Sequence, residues 1–150
     1  MPLGDLFPKE LREQLSNDNL KVGSVLRYYK TNTIPPKLKR AVVVGFDNDK
    51  ILFASVFINS EINPNMFPTQ RLRDLHLSFE AINRDYIDHD SFVDCSQIHV
   101  ENVQTVKTLM IDDVSVHIGD LSDADCEKVI EALKMAHTIP RAVKRRYGLV

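Results

Sequence analysis

Arginine, lysine, histidine and tyrosine carry most of the chemistry open to this chain, and they are unevenly spread. Between Lys21 and Lys50 seven basic residues (Lys21, Arg27, Lys30, Lys37, Lys39, Arg40 and Lys50) stand against two acidic ones, Asp47 and Asp49, with Tyr28 and Tyr29 among them. Positive charge interleaved with aromatic rings suits single-stranded nucleic acid, because phosphates attract cations and each unpaired base offers a face for stacking. From Asp74 to Cys126 the balance reverses, with 12 acidic residues against Arg84 and Lys107. That half repels phosphate, so a bound nucleic acid is expected to cross the basic stretch and avoid the acidic one. The formal net charge of the whole chain is -2, so affinity for phosphates has to come from a local concentration of cations.

Other chemistries find no support. His76, His89, His99, His117 and His137 show neither an H-E-x-x-H pattern nor a paired Cys/His spacing, so no metal site is expected. Cys95 and Cys126 lack C-x-x-C spacing and are expected as reduced, buried thiols. Five glycines form no phosphate-cradling loop and no G-x-S-x-G elbow, which argues against NTPase and α/β-hydrolase chemistry. No cofactor is implied. Charged residues at Asp5, Lys9, Glu10, Arg12, Glu13 and Asp18 leave no apolar core for a signal peptide, and no run of 18 apolar residues occurs. A cytoplasmic protein without a membrane partner is the expectation.

The elements that must position these residues follow from periodicity. A chain of 150 residues with 43% hydrophobic content suits one domain, with its core over about 21–137, a leading helix and linker over 1–20, and a basic tail over 138–150. Pro8, with Leu11 and Leu15 four apart, predicts a short helix from Phe7 to Leu15, stopped by Ser16-Asn17-Asp18-Asn19. Alternation over Val22–Tyr29 predicts a first strand, and Pro35-Pro36 marks a loop or a sheet edge after it. Two apolar runs, Arg40–Phe46 and Ile51–Ile58, flank the turn-like Asp47-Asn48-Asp49-Lys50 and read as a hairpin. A long irregular stretch is expected over Asn59–Arg73. Further strands are expected at His76–Ile82, Phe92–Cys95, Val103–Ile111 and Val114–Ile118. Ser122 can cap the clearest helix, in which Cys126, Val129, Ile130, Leu133 and His137 follow at i, i+3, i+4, i+7 and i+11 and which Pro140 should end. The sum is an α+β domain, mainly β, with a small antiparallel barrel covered by a C-terminal amphipathic helix.

The order Gly23-Ser-Val-Leu26, Arg40-Ala-Val-Val-Val44, Asp94-Cys-Ser-Gln-Ile98 and Ile118-Gly-Asp-Leu-Ser-Asp123, leading into a helix, resembles the PemK/MazF (Kid-like) toxins of bacterial toxin–antitoxin systems. The resemblance covers roughly Lys21 to Ala136. It implies an SH3-like barrel, a homodimer, an antitoxin partner, and a metal-independent endoribonuclease that cuts single-stranded RNA with the RNA's own 2′-hydroxyl as nucleophile. Arg40 stands where the family has its strand-two arginine, although Ala41 replaces the proline that follows. The family's Thr or Ser after strand three falls near Asn59 or Ser60. Where some members have Arg-Cys-Asp before the glutamine, this chain has Asp94-Cys95-Ser96-Gln97. The implied roles put Arg40 on the scissile phosphate, assisted by a polar group among Asn59, Ser60, Asp94 and Ser96. His99 is read as a proton carrier, and Arg27, Tyr28, Lys37, Lys39, Asn59 and Gln97 as RNA contacts. A second expectation is a non-catalytic protein of the same fold that binds a protein partner, an antitoxin or a gyrase-type target.

Overall fold

The computed structural model describes residues 8–30 and 37–150. The loop or sheet edge expected at Pro35-Pro36 and the start of the leading helix at Phe7 lie outside the described residues. Seven strands, β1 (Ser24–Lys30), β2 (Lys37–Phe46), β3 (Leu52–Asn59), β4 (His76–Phe79), β5 (Ser91–Asp94), β6 (His99–Asn102) and β7 (His117–Asp120), form one curled antiparallel sheet. Its order is β4-β5-β3-β2-β1-β7, with β6 also paired to β3. The helices are α1 (Lys9–Asn19), α2 (Gln70–Arg73), α3 (Val103–Asp112), α4 (Asp123–Met135) and α5 (Arg141–Arg146). The fold is α+β, a curled half-barrel with a short N-terminal helix and an amphipathic C-terminal one, as the patterning predicts.

Because strand side chains alternate between faces, the apolar hairpin β2–β3 feeds two cores. Val42, Val44, Ala54, Val56 and Ile58 join Val129 and Leu133 of α4 on one face. Ala41, Val43, Phe53 and Phe57 join Leu26, Tyr28 and the α3 residues Val103, Val106 and Met110 on the other. A strand buried on both faces has no polar side to show, which is why these runs read as nearly continuous apolar sequence. The turn between them is where composition put it: Asp47 Oδ1 accepts from the Ile51 and Leu52 amides, and Lys50 adopts a positive φ of 55°.

Several sequence expectations change. The irregular stretch expected over Asn59–Arg73 ends in helix α2, whose first turn Thr69 caps, and His137 lies beyond the end of α4 and is exposed. Val103–Ile111 is helix α3, because Val103, Val106 and Met110 recur at helical spacing to face the second core and Asn102 caps the first turn by accepting from the Thr105 amide. Its β-branched residues mimic a strand. Val114–Val116 is a 3₁₀ turn that precedes β7, so the strand expected over Val114–Ile118 starts at His117. Helix α1 runs through the expected stop to Asn19, as Ser16 turns its hydroxyl onto the Glu13 carbonyl instead of breaking the helix. The expected basic tail is helix α5 followed by a docked end: Tyr147 and Leu149 are buried in the first core. Gly45 makes this docking possible, since a Cβ there would collide with the Tyr147 carbonyl. Among the described residues, no helix is long and apolar enough to cross a membrane.

Candidate active site

Sheet register divides the basic stretch into two sets. Arg27 of β1 lies directly across from Arg40 of β2, and Tyr29 across from Leu38, so these four share one face. Tyr28 pairs with Lys39 and Lys30 with Lys37, which sends those four side chains to the opposite face. Charge that looks continuous in sequence is therefore split by the pleat. Tyr28 is buried, so it does not offer its ring to a base, whereas Tyr29 is 63% exposed.

Arg40 stands at the end of the hairpin, on the first-core face. Its Nη2 donates to Asp88 Oδ2 at 3.1 Å, and the Asp88 side chain is 80% exposed. Its Nε is sealed from solvent and has no hydrogen-bond partner among the described residues, and the guanidinium as a whole is a planar fork of the kind that contacts anions bidentately. Around it opens a cleft of about 200 Å³ lined by Leu38, Lys39, Arg40, Ile58, Asn59, Ser60, His89 and Ser91. Three strands build this cleft. Register carries Arg40 to Ile58 of β3, and Ile58 and Asn59 pair with Val93 and Phe92 of β5, which brings the 88–91 segment alongside. Lys39 reaches the cleft from the far face and donates from Nζ to Asn59 Oδ1 at 3.3 Å. Burial, and after it the neighbouring Lys37, hold the Lys39 ammonium below the ordinary lysine range, with Asp94 opposing.

Four of the expected residues come together here: Arg40, Ser60, Lys39 and Asn59. Arg27 shares the Arg40 face, and Lys37 lies on the opposite one. Ser96, Gln97 and His99 do not join them. Ser96 is buried at the corner where the chain passes from β5 to β6, and its amide and hydroxyl both donate to Asp94 Oδ1. Gln97 Nε2 donates to Asp94 Oδ2 at 3.3 Å, while His76 Nε2 approaches Asp94 Oδ1 at 3.5 Å. Thr138 ties the same corner to the C-terminal segment by donating to the Ser96 carbonyl. These contacts make Asp94 the brace of a buried turn, and the Ser96 hydroxyl is spent on it. Beside it the Cys95 thiol is pushed up to about 12, first by burial and then by Asp94, so it is an inert core group.

His99 belongs to the second-core face. Its ring stacks on Phe57 with centroids 3.7 Å apart, and Lys30 and Lys39 place their ammonium groups 5.3 and 5.5 Å from the centre of the same Phe57 ring. Burial, then Lys30, lower the imidazole to about 4, and its Nε2 is shut away from solvent. A neutral, sealed ring on the wrong face cannot carry protons for Arg40. His89 lines the cleft instead. Nothing in its local sequence, Asp88-His89-Asp90, separates it from an acidic surface loop. What identifies it is the long-range pairing of β5 with β3, which no local pattern encodes.

A larger groove of about 720 Å³ lies where β1 outruns its partner β7. Pairing with β7 ends at Leu26, and Tyr28, Tyr29, Leu38, Val100, Val106 and Leu109 line the space between that strand end and α3. Asp112 and Asp113 stand on its α3 side. No protein-family model matches the chain, and no curated protein matches it either.

Proposed function

We propose that this protein binds single-stranded RNA across the Arg27–Arg40 face and cleaves it at Arg40 without a metal ion, in the manner of the PemK/MazF toxins. The observation that carries this reading is the Arg40 cleft, which Arg40 lines together with Lys39, Asn59, Ser60, His89 and Ser91. An attacking 2′-hydroxyl turns the adjacent phosphate into a phosphorane with added negative charge. A guanidinium that is always ionised stabilises that charge, and pre-organised donors of this kind contribute most of such rate enhancements. The exposed Tyr29, two residues from Arg27 on the same face, supplies a stacking surface for a flanking base. A cytoplasmic homodimer controlled by an antitoxin completes this reading.

The test is incubation of the purified protein with a long single-stranded RNA in EDTA, followed by mapping of the cut ends. Cleavage leaving 2′,3′-cyclic phosphate or 3′-phosphate ends is expected, and Arg40→Ala should slow it by about 10²-fold or more with folding intact. RNA left whole by a well-folded wild-type protein refutes the nuclease reading, as does equal cleavage by Arg40→Ala. One observation favours a second reading, a non-catalytic protein that binds an antitoxin or another protein partner: the groove beside β1 exposes Tyr29, Leu38, Val100 and Leu109 together. Under that reading RNA remains intact, and mutation of Leu109 to Lys abolishes partner binding.

A further inference from the structure

The Arg40 cleft holds one side chain whose role the sequence does not suggest. His89 sits in the connection between β4 and β5, and that connection is pinned on both sides of it. Asp88 bonds Arg40 at 3.1 Å, Asp90 Oδ1 accepts from the Ala81 amide at 2.8 Å, and the Ser91 hydroxyl donates to the His89 carbonyl at 2.9 Å. His89 is thereby held among the residues that line the cleft together with Arg40 and Ser60.

From this geometry we infer, resting on the ribonuclease reading above, that His89 is the general acid that protonates the leaving 5′-oxygen of the RNA. The chemistry requires such a group. As the 2′-oxygen bonds to phosphorus, the bond from phosphorus to the 5′-oxygen breaks, and an unassisted alkoxide is a poor leaving group. The imidazolium gives its proton to that oxygen, and the proton of the 2′-hydroxyl passes to water. The products are a 2′,3′-cyclic phosphate and a free 5′-hydroxyl, and the neutral ring regains a proton from solvent. Among the residues lining the cleft, Arg40 does not release a proton, Asn59, Ser60 and Ser91 are not acids at neutral pH, and Lys39 enters from the other face bound to Asn59. Imidazole is the side chain suited to proton transfer near neutrality.

The test uses two synthetic oligoribonucleotides that span the mapped cleavage junction, one natural and one with sulfur in place of the leaving 5′-oxygen. A thiolate departs without protonation, so this substrate does not need the acid. His89→Ala should slow cleavage of the natural oligonucleotide by about 10²–10⁴-fold, while cutting the sulfur-bearing one at nearly the wild-type rate. Arg40→Ala should slow both. His89 is exposed, and matching urea-unfolding curves for wild type and variant establish that folding is unaffected. Wild-type rates for His89→Ala on the natural substrate, or equal slowing on both substrates, overturn the assignment of the acid and leave the role of Arg40 standing. Wild-type protein that cleaves neither substrate overturns the ribonuclease reading and this assignment together.

Discussion

Truncation after Arg146 tests how the C-terminal segment contributes to the fold. It removes Tyr147 and Leu149, which are 4% and 1% exposed, from the core that α4 shares with the sheet. Full burial of a large apolar side chain stabilises by about 1.5–3 kcal/mol, so the pair contributes about 3–6 kcal/mol before any cavity is counted. Total stabilities of single domains are about 5–15 kcal/mol, so the loss takes a large share of the whole. With a urea slope of about 2 kcal/mol/M, the unfolding midpoint followed by circular dichroism should fall by about 1.5–3 M. The control is Arg141→Glu with Arg145→Glu, which reverses two exposed charges of α5 and keeps the packing. It should move stability by no more than about 0.5 kcal/mol per site. If truncation leaves the midpoint where it was, Tyr147 and Leu149 are not core residues and the reasoning from burial fails.

Two further outcomes follow from the electrostatics. His99 binds its proton at about 4 in the folded protein against an ordinary 6.5, so between these values the unfolded chain holds more protons than the folded one. Its contribution to stability is therefore complete above about pH 6.5 and is lost as the pH falls toward 4, and urea titrations from pH 7 to 4 should show a shallower decline for His99→Gln than for wild type. On the proposed RNA-binding reading, Asp88→Asn removes a carboxylate that would compete with phosphate for Arg40; an exposed pair of this kind is worth about 0.2–1 kcal/mol, so RNA affinity measured by filter binding or anisotropy should rise by up to about fivefold, and a fall would show that Asp88 assists binding.

The sequence by itself determines the elements whose patterns are local. The apolar runs Arg40–Phe46 and Ile51–Ile58 with a turn between them specify a hairpin, and Ser122 followed by apolar residues at helical spacing specifies α4, capped by the bond from the Asp125 amide to the Ser122 hydroxyl. The concentration of cations before Lys50 and the position of Arg40 on a strand are equally legible, as is the resulting α+β class. Helix α3 was obscured because Val and Thr favour strands in isolation, and only the second core, by burying Val103, Val106 and Met110 together, decides for a helix. Tertiary structure alone decides which charges cooperate. Pleating puts Arg40 and Lys39 on opposite faces although they are adjacent in sequence, and pairing of β3 with β5 brings the 88–91 segment to Arg40 across 48 residues. The same topology spends Ser96 on Asp94 and seals His99 against Phe57. Residue type and spacing set what a side chain can do, but register and long-range pairing set what it meets, because a one-residue step along a strand reverses the face and no local interaction encodes which strand lies alongside.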